Sequence, residues 1–94
     1  MTKFEPMRIK AGTIFAKEGN SPQEVFFLLK GCVYCDKQKI IFSAGTIFGE
    51  SDILFNRSRE ENYIAKLDCY ILKLERSVFE KIMEDFPDFY DEIK

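Results

Sequence analysis

The chain has 94 residues, 46% hydrophobic and 32% charged, which describes one packed domain and excludes a disordered segment. Sixteen acidic residues against 14 basic ones leave a net charge of −2, so no basic face for nucleic acid is expected, although local charges can still hold a small anion. Histidine is absent, which removes serine–histidine and cysteine–histidine nucleophile pairs and any histidine-ligated metal centre; no enzyme activity, metal or cofactor is expected.

In chain order, short apolar runs at Met7–Lys10, Thr13–Lys17, Val25–Leu29, Cys32–Cys35, Lys39–Phe42, Tyr63–Lys66 and Cys69–Leu74 read as strands. Glycine, proline and aspartate clusters punctuate them, and the short link from Cys35 to Lys39 suits a hairpin. Short strands with frequent turns predict an antiparallel sandwich or barrel rather than a parallel α/β sheet. The run Phe26-Phe27-Leu28-Leu29 predicts a strand covered on both faces. Ala11-Gly12-Thr13-Ile14-Phe15 recurs as Ala44-Gly45-Thr46-Ile47-Phe48. Two copies are too few for a solenoid and predict two equivalent glycine turns, each feeding a strand of a jelly roll.

Between the strands, Gly49-Glu50-Ser51-Asp52-Ile53-Leu54-Phe55 predicts one helical turn anchored by Ile53, Leu54 and Phe55. Free amides at the start of such a turn, with a nearby arginine fork and a glutamate that accepts from sugar hydroxyls, suit a small phosphorylated ligand. Ser51 and Asp52 need only the helix dipole to explain them. After Leu74 the period changes: Val78, Phe79, Ile82, Met83 and Phe86 share a helical face, with Ser77 and Glu80 as a capping box. Pro87 ends that helix and opens a second, giving helices over 77–86 and 87–94, the latter cut short after Lys94.

Cys32, Cys35 and Cys69 are an odd number and read as reduced thiols of a cytoplasmic protein. Cys32-x-x-Cys35 has no second pair for a metal, and Glu84, Asp85, Asp88, Asp91 and Glu92 lack the spacing of a calcium loop. No run of about 18 apolar residues is present, so no membrane insertion is expected.

The order of Gly12, Glu18-Gly19, Phe27, Gly31, Gly45, Phe48-Gly49-Glu50, Arg59 and Ala65 resembles the cyclic nucleotide-binding domain. The likeness spans nearly the whole chain and is most specific at Phe48-Gly49-Glu50 with an arginine nine residues beyond the glutamate. It implies a mainly β, antiparallel jelly-roll sandwich over residues 1–94, with a phosphate-binding cassette over 48–65 and C-terminal lid helices. By position, it implies that Glu50 accepts the ribose 2′-hydroxyl and Arg59 pairs with the cyclic phosphate. Gly49 and Glu60 offer backbone amides, Gly49 also letting the ribose sit close, and Asn62 bears on the choice of base. The sequence departs from the family after the arginine, where Glu60-Glu61-Asn62 replaces two alanines and a small hydroxyl residue. At about 6 Å and an effective dielectric of about 20, one such carboxylate opposes a phosphate by about 3 kcal/mol, far less if exposed. Arg57 lies off the spacing and reads as a solvated loop charge.

The expected function is a cytoplasmic regulatory module that binds cAMP or cGMP and signals through its C-terminal helix. Its expected partner is a parent cation channel or kinase, the Phe86-Pro87-Asp88-Phe89-Tyr90 ending pointing to the channel branch. The alternative is a module of the same fold without a ligand, serving assembly.

Overall fold

A computed structural model describes residues 4–88. Eight strands and two helices follow in the order β1 (Phe4–Ile9), β2 (Ile14–Ala16), β3 (Glu24–Lys30), β4 (Cys32–Cys35), β5 (Ile40–Ser43), β6 (Ile47–Phe48), α1 (Glu50–Leu54), β7 (Tyr63–Ala65), β8 (Cys69–Glu75) and α2 (Arg76–Asp85). They form two antiparallel four-stranded sheets, ordered β1-β8-β3-β6 and β2-β7-β4-β5. This is the antiparallel jelly-roll sandwich that the strand pattern predicts.

The repeated pentapeptide explains how the two layers are closed. Gly12 donates its amide to Ala65 O at 2.7 Å, and Ala65 returns its own to Thr13 O at 2.9 Å. The second copy repeats the exchange: Gly45 donates to Leu28 O at 2.7 Å and Leu28 donates to Thr46 O at 3.0 Å. Gly12 and Gly45 have φ of 89° and 94°, a left-handed geometry that side chains disfavour. Each turn thus delivers a short strand to a different sheet, β2 to one and β6 to the other.

Alternation along the strands sends Phe26 and Phe48 inward from one sheet to meet Phe42 and Tyr63 of the other. Phe42 and Phe26 stack on Phe48 at centroid distances of 4.9 and 5.3 Å, and Tyr63 meets it edge-on at 5.4 Å. The expected double cover of the Phe26–Leu29 run reaches only part of it: Phe26 and Leu28 are buried, Phe27 is half-buried and Leu29 is exposed.

A second, smaller core lies under α2, where Val25, Ile53, Leu74 and Phe79 are buried and Val78, Ile82 and Met83 pack against them. The predicted helical face is present apart from Phe86, which follows the helix and is 65% exposed. The capping box does not form. The helix begins directly at the end of β8, with Glu75 as N-cap and no side-chain cap bond. Ser77 therefore falls inside the helix, and Glu80 pairs instead with Arg76 Nε at 3.2 Å, one turn back. The stop before Pro87 holds: Phe86 has left helical geometry (φ −134°, ψ 76°), which a following proline disfavours. Pro87 and Asp88 form a turn, and the rest of the predicted 87–94 helix lies outside the described residues.

Candidate functional site

The short helix α1 follows β6 through Gly49, whose φ of 87° turns the chain sharply at the helix start. A Cβ there would sit 3.0 Å from Arg59 Nη1 and 3.1 Å from the Phe26 ring. Glycine therefore suits this turn on two counts, its left-handed φ and the close approach of the Arg59 and Phe26 side chains. Only Ile53 of the three predicted anchors is buried; Leu54 is 40% and Phe55 70% exposed. The other buried residue of the turn is Asp52.

Beside α1 opens a cavity of about 200 Å³ between the helix, β4, β5 and β7. Gly49, Glu50 and Glu60 border it, as the sequence reading expects of ligand contacts; so do Asp52, Arg57, Glu61, Cys35 and Tyr63. Arg59 and Asn62 are not on its wall.

Arg59 instead lies beneath the cassette, 4% exposed. Its Nη1 donates to Gly49 O at 2.6 Å and to Asp52 Oδ2 at 3.2 Å, and its Nη2 donates to Glu24 O at 2.6 Å. The guanidinium also sits 5.6 Å from the Phe26 ring centroid and 5.5 Å from that of Tyr63. Its backbone clamps the β2–β3 turn, donating to Asn20 O and accepting from Gly19 N. A charged group this deep needs hydrogen bonds and an opposite charge to offset its desolvation, and the cassette supplies both.

Arg57 is the arginine that faces the cavity. Its side chain is 42% exposed, as expected of a solvated loop charge, yet its Nε donates to Asp52 Oδ1 at 3.0 Å and lies 3.2 Å from Glu60 Oε1. The Asp52 bond raises its pKa further, so it is a permanent cation.

The two glutamates separate as strand-like alternation predicts. Glu60 points outward, its side chain 56% exposed. Glu61 is buried, and its Oε1 accepts the amides of Lys37 and Gln38 at 3.0 and 2.8 Å. This carboxylate holds the β4–β5 turn in place of a main-chain partner. Asn62 does related work away from the cavity: its Oδ1 accepts the Glu18 amide and its Nδ2 donates to Asp36, holding the Asp36 carboxyl below its ordinary pKa. Lys37 and Glu18 close the same cluster with an ion pair.

At the cavity floor, burial pushes the Cys35 thiol up to about 12, with Glu61, Asp36 and Asp52 adding to the shift. Burial likewise raises Tyr63 to about 12. Both are neutral at physiological pH and have no ready nucleophile character. Among the described residues no group of acidic and cysteine side chains is arranged to hold a metal ion, and no helix is long and apolar enough to cross a membrane. Asp52 is the residue that sequence reasoning missed. Its side chain sits between two arginines, and only the i+5 and i+7 spacing to Arg57 and Arg59 pointed to it.

With the jelly roll, the glycine-led short helix and its cavity in place, residues 6–86 match the family model described as cyclic nucleotide-binding domain. The chain belongs to that family, whose domains are regulatory modules rather than catalytic ones. Among curated proteins, it is 31% identical over 81 residues to the cGMP-dependent protein kinase egl-4 of Caenorhabditis elegans, covering 83% of the chain and 10% of that protein. The Caenorhabditis briggsae counterpart matches at the same identity, so the chain spans about a tenth of the length of these relatives. Among solved structures, a cAMP-bound PfPKA-R superposes with a TM-score of 0.83 at 24% identity, over 94% of this chain and 32% of that one. The regulatory subunit of a cAMP-independent protein kinase A from Trypanosoma brucei gives 0.82 at 20% identity, over 96% and 36%. These likenesses establish the sandwich fold.

Proposed function

We propose that this domain binds a cyclic nucleotide, cAMP or cGMP, in the cavity beside α1 and passes occupancy to α2, as the sensor of a larger cytoplasmic protein. The observation that carries the reading is the Phe48-Gly49-Glu50 turn, which opens a short helix onto a cavity bordered by Glu50 and by the Arg57 cation. In this reading Glu50 accepts the ribose hydroxyl, and the amides of Gly49 and Glu60 receive the phosphate with an arginine. The kinase relatives favour a kinase as the parent, with a cation channel as the other candidate.

Transmission has a material basis in two arginines that grip neighbouring carbonyls. Arg59 Nη2 holds Glu24 O at 2.6 Å, while the Arg76 amide holds Gln23 O at 2.8 Å and its Nη1 holds Pro22 O at 3.2 Å. Arg76 Nη2 also reaches Asn56 Oδ1, just past α1, at 3.1 Å. A shift of the cassette therefore pulls on the first residue of α2 through one short segment. The ligand biases that element only by its differential affinity for the two positions.

A second reading, a ligand-free module of the same fold, is favoured by the charge of the cavity. Among the described residues, four carboxylates, Glu50, Asp52, Glu60 and Glu61, border it against the one cation of Arg57. Calorimetric titration with cAMP and cGMP separates the two readings. Saturable heat that Glu50→Ala weakens by about tenfold or more supports the sensor; no saturable heat for either nucleotide supports the ligand-free module.

A further inference from the structure

We infer that the outer face of the β2-β7-β4-β5 sheet is an interaction surface for a second copy of this chain. The two copies pack face to face about a two-fold axis that runs along an apolar stripe of Ile14, Ile64, Tyr34 and Ile41. The inference is independent of the ligand reading, because the cavity residues Cys35, Phe42 and Tyr63 point to the opposite face of the same sheet.

The strand register builds the stripe. Ile14 pairs with Ile64, Ile64 with Tyr34, and Tyr34 with Ile41, so one apolar side chain from each strand stands in a single row across the sheet. At a strand spacing of about 4.8 Å the row is about 14 Å long. Alternation sends the neighbours Val33, Cys35, Tyr63 and Ala65 into the core and leaves the row on the side away from it. Ile14 is 43% and Ile41 52% exposed, with Ile64 and Tyr34 half-buried. Neither helix covers them: α1 packs against β3, and α2 against β3 and β8, strands of the other sheet. A sheet with one face on the core normally carries polar residues on the other, and a contiguous apolar row there marks a contact surface.

The borders of the stripe identify its occupant. On one side Asp36 and Asn62 form a cross-strand pair, Asn62 Nδ2 donating to Asp36 Oδ2 at 3.0 Å; Lys37, in the turn beyond, is already paired with Glu18. On the other side Lys66 is exposed and makes no ion pair among the described residues. Its ammonium leans over β4, 5.9 Å from the Tyr34 ring centroid. A two-fold rotation about the stripe lays each of its residues against its own copy and exchanges the two borders. Lys66 of each copy then meets Asp36 of the other, and the sheets stack in the aligned manner. A two-fold axis parallel to the strands would instead set the two Lys66 ammonium groups side by side, which like charges oppose. Charge complementarity therefore selects the first arrangement. The stripe is small beside a permanent interface, so the dimer is weak and concentration-dependent.

Sedimentation velocity of the chain from about 10 µM to about 1 mM tests the proposal, and the wild type is expected to move from monomer toward dimer across that range. Ile41→Glu and Lys66→Glu, both at solvent-facing positions of the single copy, are each expected to weaken association by about tenfold or more, with circular dichroism confirming the fold. Lys66→Glu carries the test if Ile41→Glu does not fold. Lys66→Glu places like charges together in its own dimer, and so does Asp36→Lys. An equimolar mixture of these two variants restores both opposite-charge contacts and is expected to associate within about threefold of the wild type. A chain that stays monomeric throughout overturns the proposal. A dimer that Ile41→Glu and Lys66→Glu leave intact overturns this surface, and a mixture as weak as the separate variants overturns the orientation of the two copies.

Discussion

Replacing Arg59 with alanine is expected to destabilise the fold before it says anything about ligand binding. The change removes a cation that is 4% exposed and leaves three acceptors behind: Gly49 O, Glu24 O and the buried Asp52 carboxylate. Hydrogen bonds to a charged group contribute about 1.5–3 kcal/mol each. Removing one partner of a buried ion pair costs about 3–5 kcal/mol. Arg57 still holds Asp52, and water can enter to meet the two carbonyls, so the contributions do not add in full. A net loss of about 4 kcal/mol follows, a large share of the roughly 5–15 kcal/mol that stabilises a domain. For a chain of this size it lowers the melting temperature by about 20 °C. Urea and thermal unfolding followed by circular dichroism measure it. Arg59→Lys keeps the charge but not the planar fork that reaches several acceptors, and is expected to lose an intermediate amount. A loss under about 1 kcal/mol for Arg59→Ala, the value of an exposed pair, would refute the buried-keystone account. Reduced nucleotide binding by this variant counts as evidence for a phosphate contact only at temperatures where it is demonstrably folded.

The two adjacent glutamates are expected to behave oppositely. Glu61→Ala removes the acceptor for the Lys37 and Gln38 amides and should cost about 2 kcal/mol, with faster hydrogen exchange at both amides; unchanged protection there would remove its structural role. Glu60→Ala should leave stability within about 0.5 kcal/mol and slightly strengthen cyclic nucleotide binding at low salt, as calorimetric titration would show. Alkaline pH is expected to destabilise the chain. Cys35 and Tyr63 are raised to about 12 in the folded state from ordinary values of 9.0 and 10.0. The unfolded chain therefore releases these protons first, and the stabilisation present below about pH 9 is lost as pH rises toward about 12. A urea midpoint that stays flat between about pH 8 and about pH 11 would contradict this burial.

The sandwich was legible because its signals are local and repeated. Alternating apolar residues, glycine turns and the doubled Ala-Gly-Thr-Ile-Phe segment all specify the same architecture. The two copies make matching backbone exchanges on opposite sheets, an equivalence that the pentapeptide alone implied. The capping box failed because a strand runs straight into α2. The Arg76 amide is bonded to Gln23 O, a partner more than 50 positions away in sequence, so the helix starts one residue before the expected Ser77 cap. Long-range pairing of that kind leaves no local trace.

The site was legible in position and illegible in direction. Spacing drew attention to Arg59, but spacing does not reveal where five guanidinium donors point, and three of the bonds they make run into the protein. The deciding residue was Asp52, whose place in a first helical turn has an adequate dipole explanation. A carboxylate there is ordinary if exposed and costly if buried without a partner, so its burial demands cations. Arg57 and Arg59 are those cations, which reverses the order of cause: the cassette arginines are held first by an internal anion, and any phosphate must compete with it. Arg59 also holds Glu24 O, one residue from the Gln23 carbonyl that accepts the Arg76 amide, so the guanidinium that neutralises Asp52 also ties the cassette to the start of α2.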